Sequence, residues 1–135
     1  MLRGWRRSEG RGITIRRIDF TRNALGPGNA VLLFVECEHV TEVFSSFGER
    51  GLPAERVGMN VAQEAKAWLD SGAPVGMHLA DQLLVPLAMA GGGAFRASEA
   101  TDHARTVIDV ARRFVDVSIS VEERAKGDVH FAIAR

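Results

Sequence analysis

Apolar residues recur along the chain with two different periods, and their pattern in the first part of the chain predicts extended strands. Residues 30–37 form a nearly continuous apolar run rich in Val and Leu, which favours a strand buried on both faces. Residues 41–47 add a shorter extended segment. Earlier, the isoleucines between residues 13 and 20 indicate another short strand, and the Gly-Pro-Gly-Asn turn at 26–29 separates it from the next one.

The period changes to that of a helix after Pro53, a residue that suits the first position of a helix. Apolar residues then recur three and four positions apart, with charged residues mostly on the opposite side. These apolar residues are Val57, Val61, Ala65, Trp68 and Leu69. Gly72 suits the C′ position, so the helix is expected to end there.

A second helix is predicted from about Leu79 to Ala90. Because its residues are apolar nearly all round, we expect it to be buried. Three consecutive glycines, Gly91 to Gly93, end it.

The remaining elements complete a layered domain. A short strand near Phe95 precedes a third helix, whose apolar positions fall between residues 107 and 115. Two strands follow, at 117–121 and 129–133, joined by a turn at 126–128. This order predicts an α/β (α+β layered) domain, a mixed sheet packed by two to three helices.

Composition narrows the class of protein. With 135 residues, 46% hydrophobic and 25% charged, the chain fits one domain or a piece of a larger one, and a disordered chain is excluded. A single cysteine, Cys37, permits no internal disulfide and favours a reducing compartment. No apolar run reaches the roughly 18 residues of a membrane span. A soluble cytoplasmic protein is therefore expected, and a Cys/His zinc site is not.

Charge is unevenly distributed, although the net charge is zero. Residues 1–22 hold seven arginines against two acidic residues, a local balance of +5. Such an arm can contact phosphates, but a charge run is more often a solvated leader. We therefore treat residues 1–25 as a separate basic segment without an assigned fold.

His103 lies where chemistry is possible, at the start of the third helix. Thr101 or Asp102 can cap this helix, and its first free amides suit a phosphate group. The positive end of a helix dipole disfavours protonation of a nearby imidazole, and a neutral imidazole keeps the lone pair that a nucleophile needs. Arg105 is close enough in sequence to neutralise phosphate oxygens. A capping or surface role for His103 is the alternative.

A second polar group, His78, Asp81 and Gln82, opens the otherwise apolar second helix. Capping explains these residues adequately. However, Pro86 has no N–H, so the carbonyl of Gln82 loses its usual helical donor. A carboxylate beside an open carbonyl can contact a nucleotide or a metal ion.

These segments resemble the C-terminal part of the RNA 3′-terminal phosphate cyclases. The resemblance covers residues 26–135 and is carried by GPGNAVLLFVECEHVTEVFSSFGERG, PAERV, SGAPVGMHLADQLLVPLAMAGGGAF, and His103 followed by RTVIDVARRFV. It implies a C-terminal repeat of the fold shared with enolpyruvyl transferases. It also implies an ATP-dependent ligase that converts an RNA 3′-phosphate end into a 2′,3′-cyclic phosphate through histidine–AMP and RNA-adenylate intermediates.

Residue by residue, the resemblance makes His103 the histidine that carries AMP. Asp81 and Gln82 match the pair that contacts the nucleotide, and His78 falls where some relatives have a tyrosine against adenine. Arg105 is a further nucleotide-contact candidate because of its position near His103 and not because of the resemblance. A divalent ion, Mg or Mn, would assist, with Asp81 as its ligand.

Two departures from the family pattern qualify this prediction. Val107 stands where relatives commonly have asparagine, and the family's N-terminal part, with its phosphate-holding arginines, is not visible in the sequence. We therefore expect a partial chain that needs a missing N-terminal cyclase half or a second copy, and that does not turn over by itself. The alternative is a non-catalytic cyclase-like protein of RNA binding or ribosome biogenesis.

Overall fold

The computed structural model describes Gly26 and residues 28–135, so the strand predicted between residues 13 and 20 lies outside the described part. In chain order the elements are β1 (Ala30–Glu36), β2 (Thr41–Phe47), α1 (Ala54–Ser71), α2 (Met77–Ala90), β3 (Gly92–Ala97), α3 (Asp102–Phe114), β4 (Ser118–Ala125) and β5 (Asp128–Ala134). The predicted α/β class is confirmed. Within residues 28–135, no helix combines the length and apolar character needed to cross a membrane.

Contacts divide the chain after Lys66 into two compact units, and α1 contributes residues to both. The second unit is Ala67–Arg135. The boundary predicted after residue 25 stays a prediction, since the residues before it are not described.

In the first unit, β1 and β2 form an antiparallel pair in which Val35 lies opposite Glu42. Val35 is fully buried, whereas Leu32 and Phe34 are 54% and 46% exposed. The prediction that this strand is buried on both faces is therefore wrong for the described residues. The physical reason is that β1 belongs there to a two-stranded sheet with one covered face, so alternate side chains meet solvent.

The first helix has the predicted limits to within one residue. It begins after Pro53, whose carbonyl accepts hydrogen bonds from the N–H groups of Arg56 and Val57 at 3.0 and 3.3 Å. Gly72, at φ 68°, ends it in the left-handed region that glycine tolerates. The predicted apolar face is confirmed at its buried residues, Val57, Val61, Ala65 and Trp68.

The second unit is built on a three-stranded antiparallel sheet with β5 in the centre. β4 and β5 are joined by the predicted turn, where Gly127 has φ 82°. Val75 adds a parallel bridge to Ala97, which gives the sheet a mixed character at this one position. The segment that precedes α2 is thus fixed to the end of β3.

The core of the second unit lies between this sheet and α2 and α3. Phe131 of β5 is completely buried, and its ring stacks on Phe95 at a centroid distance of 4.8 Å. From α2 and α3 the core receives Ala80, Leu84, Ala88, Ala104 and Ile108.

Only one face of α2 is buried, so the prediction of burial all round is wrong for the described residues. Val85 and Met89 are 47% and 70% exposed, whereas Leu84, directly before Val85, is completely buried. The sheet and α3 cover one side of this helix, and no described residue encloses the other.

Leu84 and Val85 are neighbours with opposite environments, which makes them a matched pair. Leu84→Ala leaves a cavity in the core and is expected to lower the free energy of unfolding by about 2–5 kcal/mol. Val85→Ala removes methyl groups that already meet water and is expected to cost less than about 1 kcal/mol. Urea denaturation followed by circular dichroism measures both. Equal losses would contradict the one-sided burial of α2.

Candidate functional site

The candidate site is organised by the hydroxyl group of Thr101, the N-cap residue of α3. Its Oγ1 accepts a hydrogen bond from the Ala104 N–H at 2.9 Å, as the predicted cap requires. The same hydroxyl donates to Oδ1 of Asp81 on α2, also at 2.9 Å. One side chain thus joins the N-terminal parts of two helices through residues that are 20 positions apart in sequence.

His103 lies two residues after Thr101, in the first turn of α3, and is exposed to solvent. Asp81 is half-buried. The Thr101 bridge therefore brings the regions of both residues to the same end of the helix pair. Asp102 adds an acidic side chain to this first turn.

His78 and Gln82 belong to the same end of α2 as Asp81. Residues three and four apart share one side of a helix, so His78, Asp81 and Gln82 lie along one stripe. His78 and Gln82 are exposed. Pro86 lies inside α2, so it cannot supply the N–H that would otherwise bind the Gln82 carbonyl.

Arg105 is directed toward the sheet. Its Nη2 donates to Oε1 of Glu123 on β4 at 2.9 Å, and both side chains are more than half exposed. Ion pairs in such a setting are weak, on the order of 0–1 kcal/mol. Because this ion pair is weak, release of the Arg105 guanidinium from Glu123 costs little free energy.

The candidate metal ligand is a single carboxylate. Within the described part of the chain, His, Cys, Asp and Glu side chains form no group of three or more that could hold a metal ion. Asp81 alone fits the mode in which Mg²⁺ takes one or two protein carboxylates and completes its coordination with substrate phosphates and water. Thr101 occupies one side of Oδ1 and leaves Oδ2 for such a role.

Comparison with known proteins gives this geometry a family context. The family model described as RNA 3′-terminal phosphate cyclase, insert domain, matches residues 7–70. Proteins named RNA 3′-terminal phosphate cyclase are similar to the chain, at 52% identity over 95 residues in Ectopseudomonas mendocina and 47% over 107 residues in Koribacter versatilis. The chain belongs to the RNA 3′-terminal phosphate cyclase family.

The insert-domain match ends before the candidate site, so the longer similarities matter for it. The cyclase of Salmonella paratyphi C is 47% identical over 110 residues, 82% of this chain. A stretch of that length within 135 residues must include every position from 78 to 105. The family similarity therefore extends across both helix starts.

The chain corresponds to only part of these cyclases. It spans 28% of the Ectopseudomonas mendocina protein, 30% of the Koribacter versatilis protein and 32% of the Salmonella paratyphi C protein. The insert-domain match begins at residue 7, inside the basic segment to which the sequence alone assigned no fold.

The structure adds one residue to the predicted set. Thr101 was expected as a helix cap, but its contact with Asp81 depends on the packing of α2 beside α3. A threonine that precedes a candidate histidine by two residues is the only sequence signal for it.

Thr101→Val should loosen the two helix starts, because it removes both the cap and the donor to Asp81. We expect a loss of about 1–2 kcal/mol in the free energy of unfolding, whereas Thr101→Ser keeps the hydroxyl and should lose less. In a double-mutant cycle with Asp81→Ala, denaturation should give a coupling of at least about 0.5 kcal/mol. Strict additivity would show that the bridge contributes nothing.

Proposed function

We propose that this chain takes part in the ATP-dependent cyclisation of RNA 3′-phosphate ends, with His103 as the nucleophile. The observation that carries the proposal is the Thr101 hydroxyl, which joins Asp81 to the first turn of α3 at 2.9 Å and so keeps an exposed imidazole and a carboxylate at one end of two helices. The names of the relatives support cyclisation of an RNA 3′-terminal phosphate, and the use of ATP and of a histidine–AMP intermediate is what the family resemblance implies.

In the first step, a ring nitrogen of His103 attacks the α-phosphorus of ATP. A phosphorus–nitrogen bond forms, the bond to the bridging oxygen breaks, and pyrophosphate leaves. An exposed imidazole suits this step because the attacking ring nitrogen must approach phosphorus from the side opposite the leaving oxygen. The first amides of α3 and its dipole favour the negative charge of the phosphate group.

In the second step, an oxygen of the RNA 3′-phosphate attacks the same phosphorus and His103 leaves. In the third, the neighbouring 2′-hydroxyl attacks the 3′-phosphorus, its proton passes to solvent, and AMP leaves with the bond electrons. The product is a 2′,3′-cyclic phosphate. The histidine is regenerated after the second step, which is what a covalent catalyst requires.

The α2 residues would hold the nucleotide. The open Gln82 carbonyl and the Asp81 carboxylate can accept hydrogen bonds from ribose or base, and His78 offers a ring face for stacking on adenine. A magnesium or manganese ion held by Asp81 would neutralise phosphate charge when bound.

The proposal predicts covalent labelling of His103 by ATP labelled at the α-phosphate. With a divalent ion present, the chain should acquire label that acid and hydroxylamine remove. His103→Ala should reduce it by at least about 10³-fold, because the nucleophile is gone. Label is measured on denatured, gel-separated protein.

His39→Ala is the matched control, since His39 is exposed and lies far from position 103 in sequence. Its labelling should equal that of the unaltered chain. Each variant is tested alone and together with the Ectopseudomonas mendocina cyclase from which the matched 95 residues are removed. Undiminished label on His103→Ala contradicts the proposal, and salt-sensitive RNA retention without any label favours a non-catalytic RNA-binding protein.

Arg105 is proposed to exchange its contact with Glu123 for a phosphate of ATP. Arg105→Ala should weaken ATP binding about tenfold, the loss of roughly one charge-assisted hydrogen bond. Glu123→Gln should strengthen binding or leave it unchanged, because it releases the guanidinium. Arg113→Ala, on the same helix and exposed, is the control. Equilibrium binding of a fluorescent ATP analogue measures all three, and equal weakening by Arg105→Ala and Arg113→Ala would reject a specific role.

A further inference from the structure

One face of the β1–β2 pair is exposed along its whole length within residues 28–135. Alternate residues of a strand point to opposite faces, and residues directly opposed in an antiparallel pair share a face. Phe47 lies opposite Ala30, four residues before Phe34 on β1, so both phenylalanine rings lie on the same face. Its members are all exposed: Ala30, Leu32, Phe34, Glu36, Thr41, Val43, Ser45 and Phe47. We call it the hairpin face.

The packing of the first unit uses the opposite face of these strands. Val35 and Phe44 alternate with the residues of the hairpin face, and both are buried. Glu42, directly opposite Val35, is buried as well. The hairpin face is therefore an apolar surface in addition to the core, and its side chains can be changed without opening a cavity in that core.

The two phenylalanines of the hairpin face are available to a ligand. Phe47 is 64% exposed, and Ala30 opposite it offers only a methyl group for cross-strand contact. Phe34 is about half exposed. Four residues of strand separate the positions of the two rings, a distance of roughly 14 Å at about 3.4 Å per residue. Each ring can therefore contact a different group of one extended ligand.

The charge of the same unit favours an anionic ligand. The first unit is Met1–Lys66, and its residues 1–22 hold seven arginines against two acidic residues. Single-stranded nucleic acid combines negative phosphates with flat base rings, and proteins bind it with basic side chains and with aromatic rings exposed on a sheet. An apolar protein surface would contact the rings but would gain nothing from the arginines.

We propose that the hairpin face is a stacking surface for the bases of single-stranded RNA, with Phe34 and Phe47 as its stacking residues. Every base has a ring face, so such a surface accepts different sequences, as an enzyme that recognises RNA by its 3′-phosphate end requires. The inference rests on the proposed function for the identity of the nucleic acid, but it involves neither ATP nor His103. It gives the first unit a role in holding the substrate.

Binding of fluorescent RNA tests this proposal. The full chain is titrated into a short labelled single-stranded RNA with a 3′-phosphate, and fluorescence anisotropy gives the dissociation constant. Phe34→Leu and Phe47→Leu keep an apolar side chain but remove the ring, so each should weaken binding at least about fivefold, as the loss of one stacked base does. Because ATP is absent, the result does not depend on whether His103 accepts AMP.

Phe114→Leu is the matched control. Phe114 is 84% exposed and belongs to the second unit, so the same change there should leave RNA binding unaltered. Circular dichroism verifies that every variant is folded. The proposal is overturned if the chain binds no RNA, if Phe34→Leu and Phe47→Leu together leave binding unaltered, or if Phe114→Leu weakens it equally. A homodimer that Phe47→Leu dissociates would assign the face to a second copy instead.

A second measurement separates base stacking from general apolar contact. An RNA of the same length that carries no bases keeps its phosphates, so it still meets the basic side chains but offers no ring to stack. The unaltered chain should bind this abasic RNA more weakly, and Phe47→Leu should cause no further loss. Equal weakening of both RNAs by Phe47→Leu would show that the ring does not contact a base, and would overturn the proposal.

Discussion

Two hydrogen bonds of the Thr101 hydroxyl group fix how the N-terminal ends of α2 and α3 meet in the second unit. This hydroxyl satisfies an amide at the start of α3 and binds the Asp81 carboxylate on α2, so one group performs local capping and tertiary positioning together. A hydroxyl can do this because it donates one hydrogen bond and accepts others. If a methyl group replaced this hydroxyl, α2 and α3 would keep their apolar contacts but lose the hydrogen bond that aligns their N-terminal ends.

With that register fixed, the two helices separate polar chemistry from apolar packing. The N-terminal ends of both helices favour anions, because their free backbone amides and the positive ends of their dipoles lie there. The C-terminal halves present hydrocarbon. The sheet packs against both helices in a core that includes Phe131 of its central strand. The polar contact and the apolar groove between the C-terminal halves therefore lie at opposite ends of one helix pair.

Features that depend on a few neighbouring residues could be predicted from the sequence. Gly72, Gly91 and Gly127 end elements at positive φ, and only a residue without Cβ adopts such angles at little cost. The cap at Thr101 belongs to the same class. The pairing of Arg105 with Glu123 and of Thr101 with Asp81 could not be predicted, because each joins residues that packing brings together from different elements.

The errors at β1 and α2 have a common cause. A run of apolar residues indicates that both faces of an element can be buried, but it does not indicate which residues bury them. In α2 the described residues cover the face of Leu84 and leave that of Met89 exposed. Since exposed apolar area costs about 25 cal/mol per Å², such a pattern is stable when a second contact exists. The apolar residues of α2 therefore exceed those that its contacts with the sheet and α3 bury within residues 28–135.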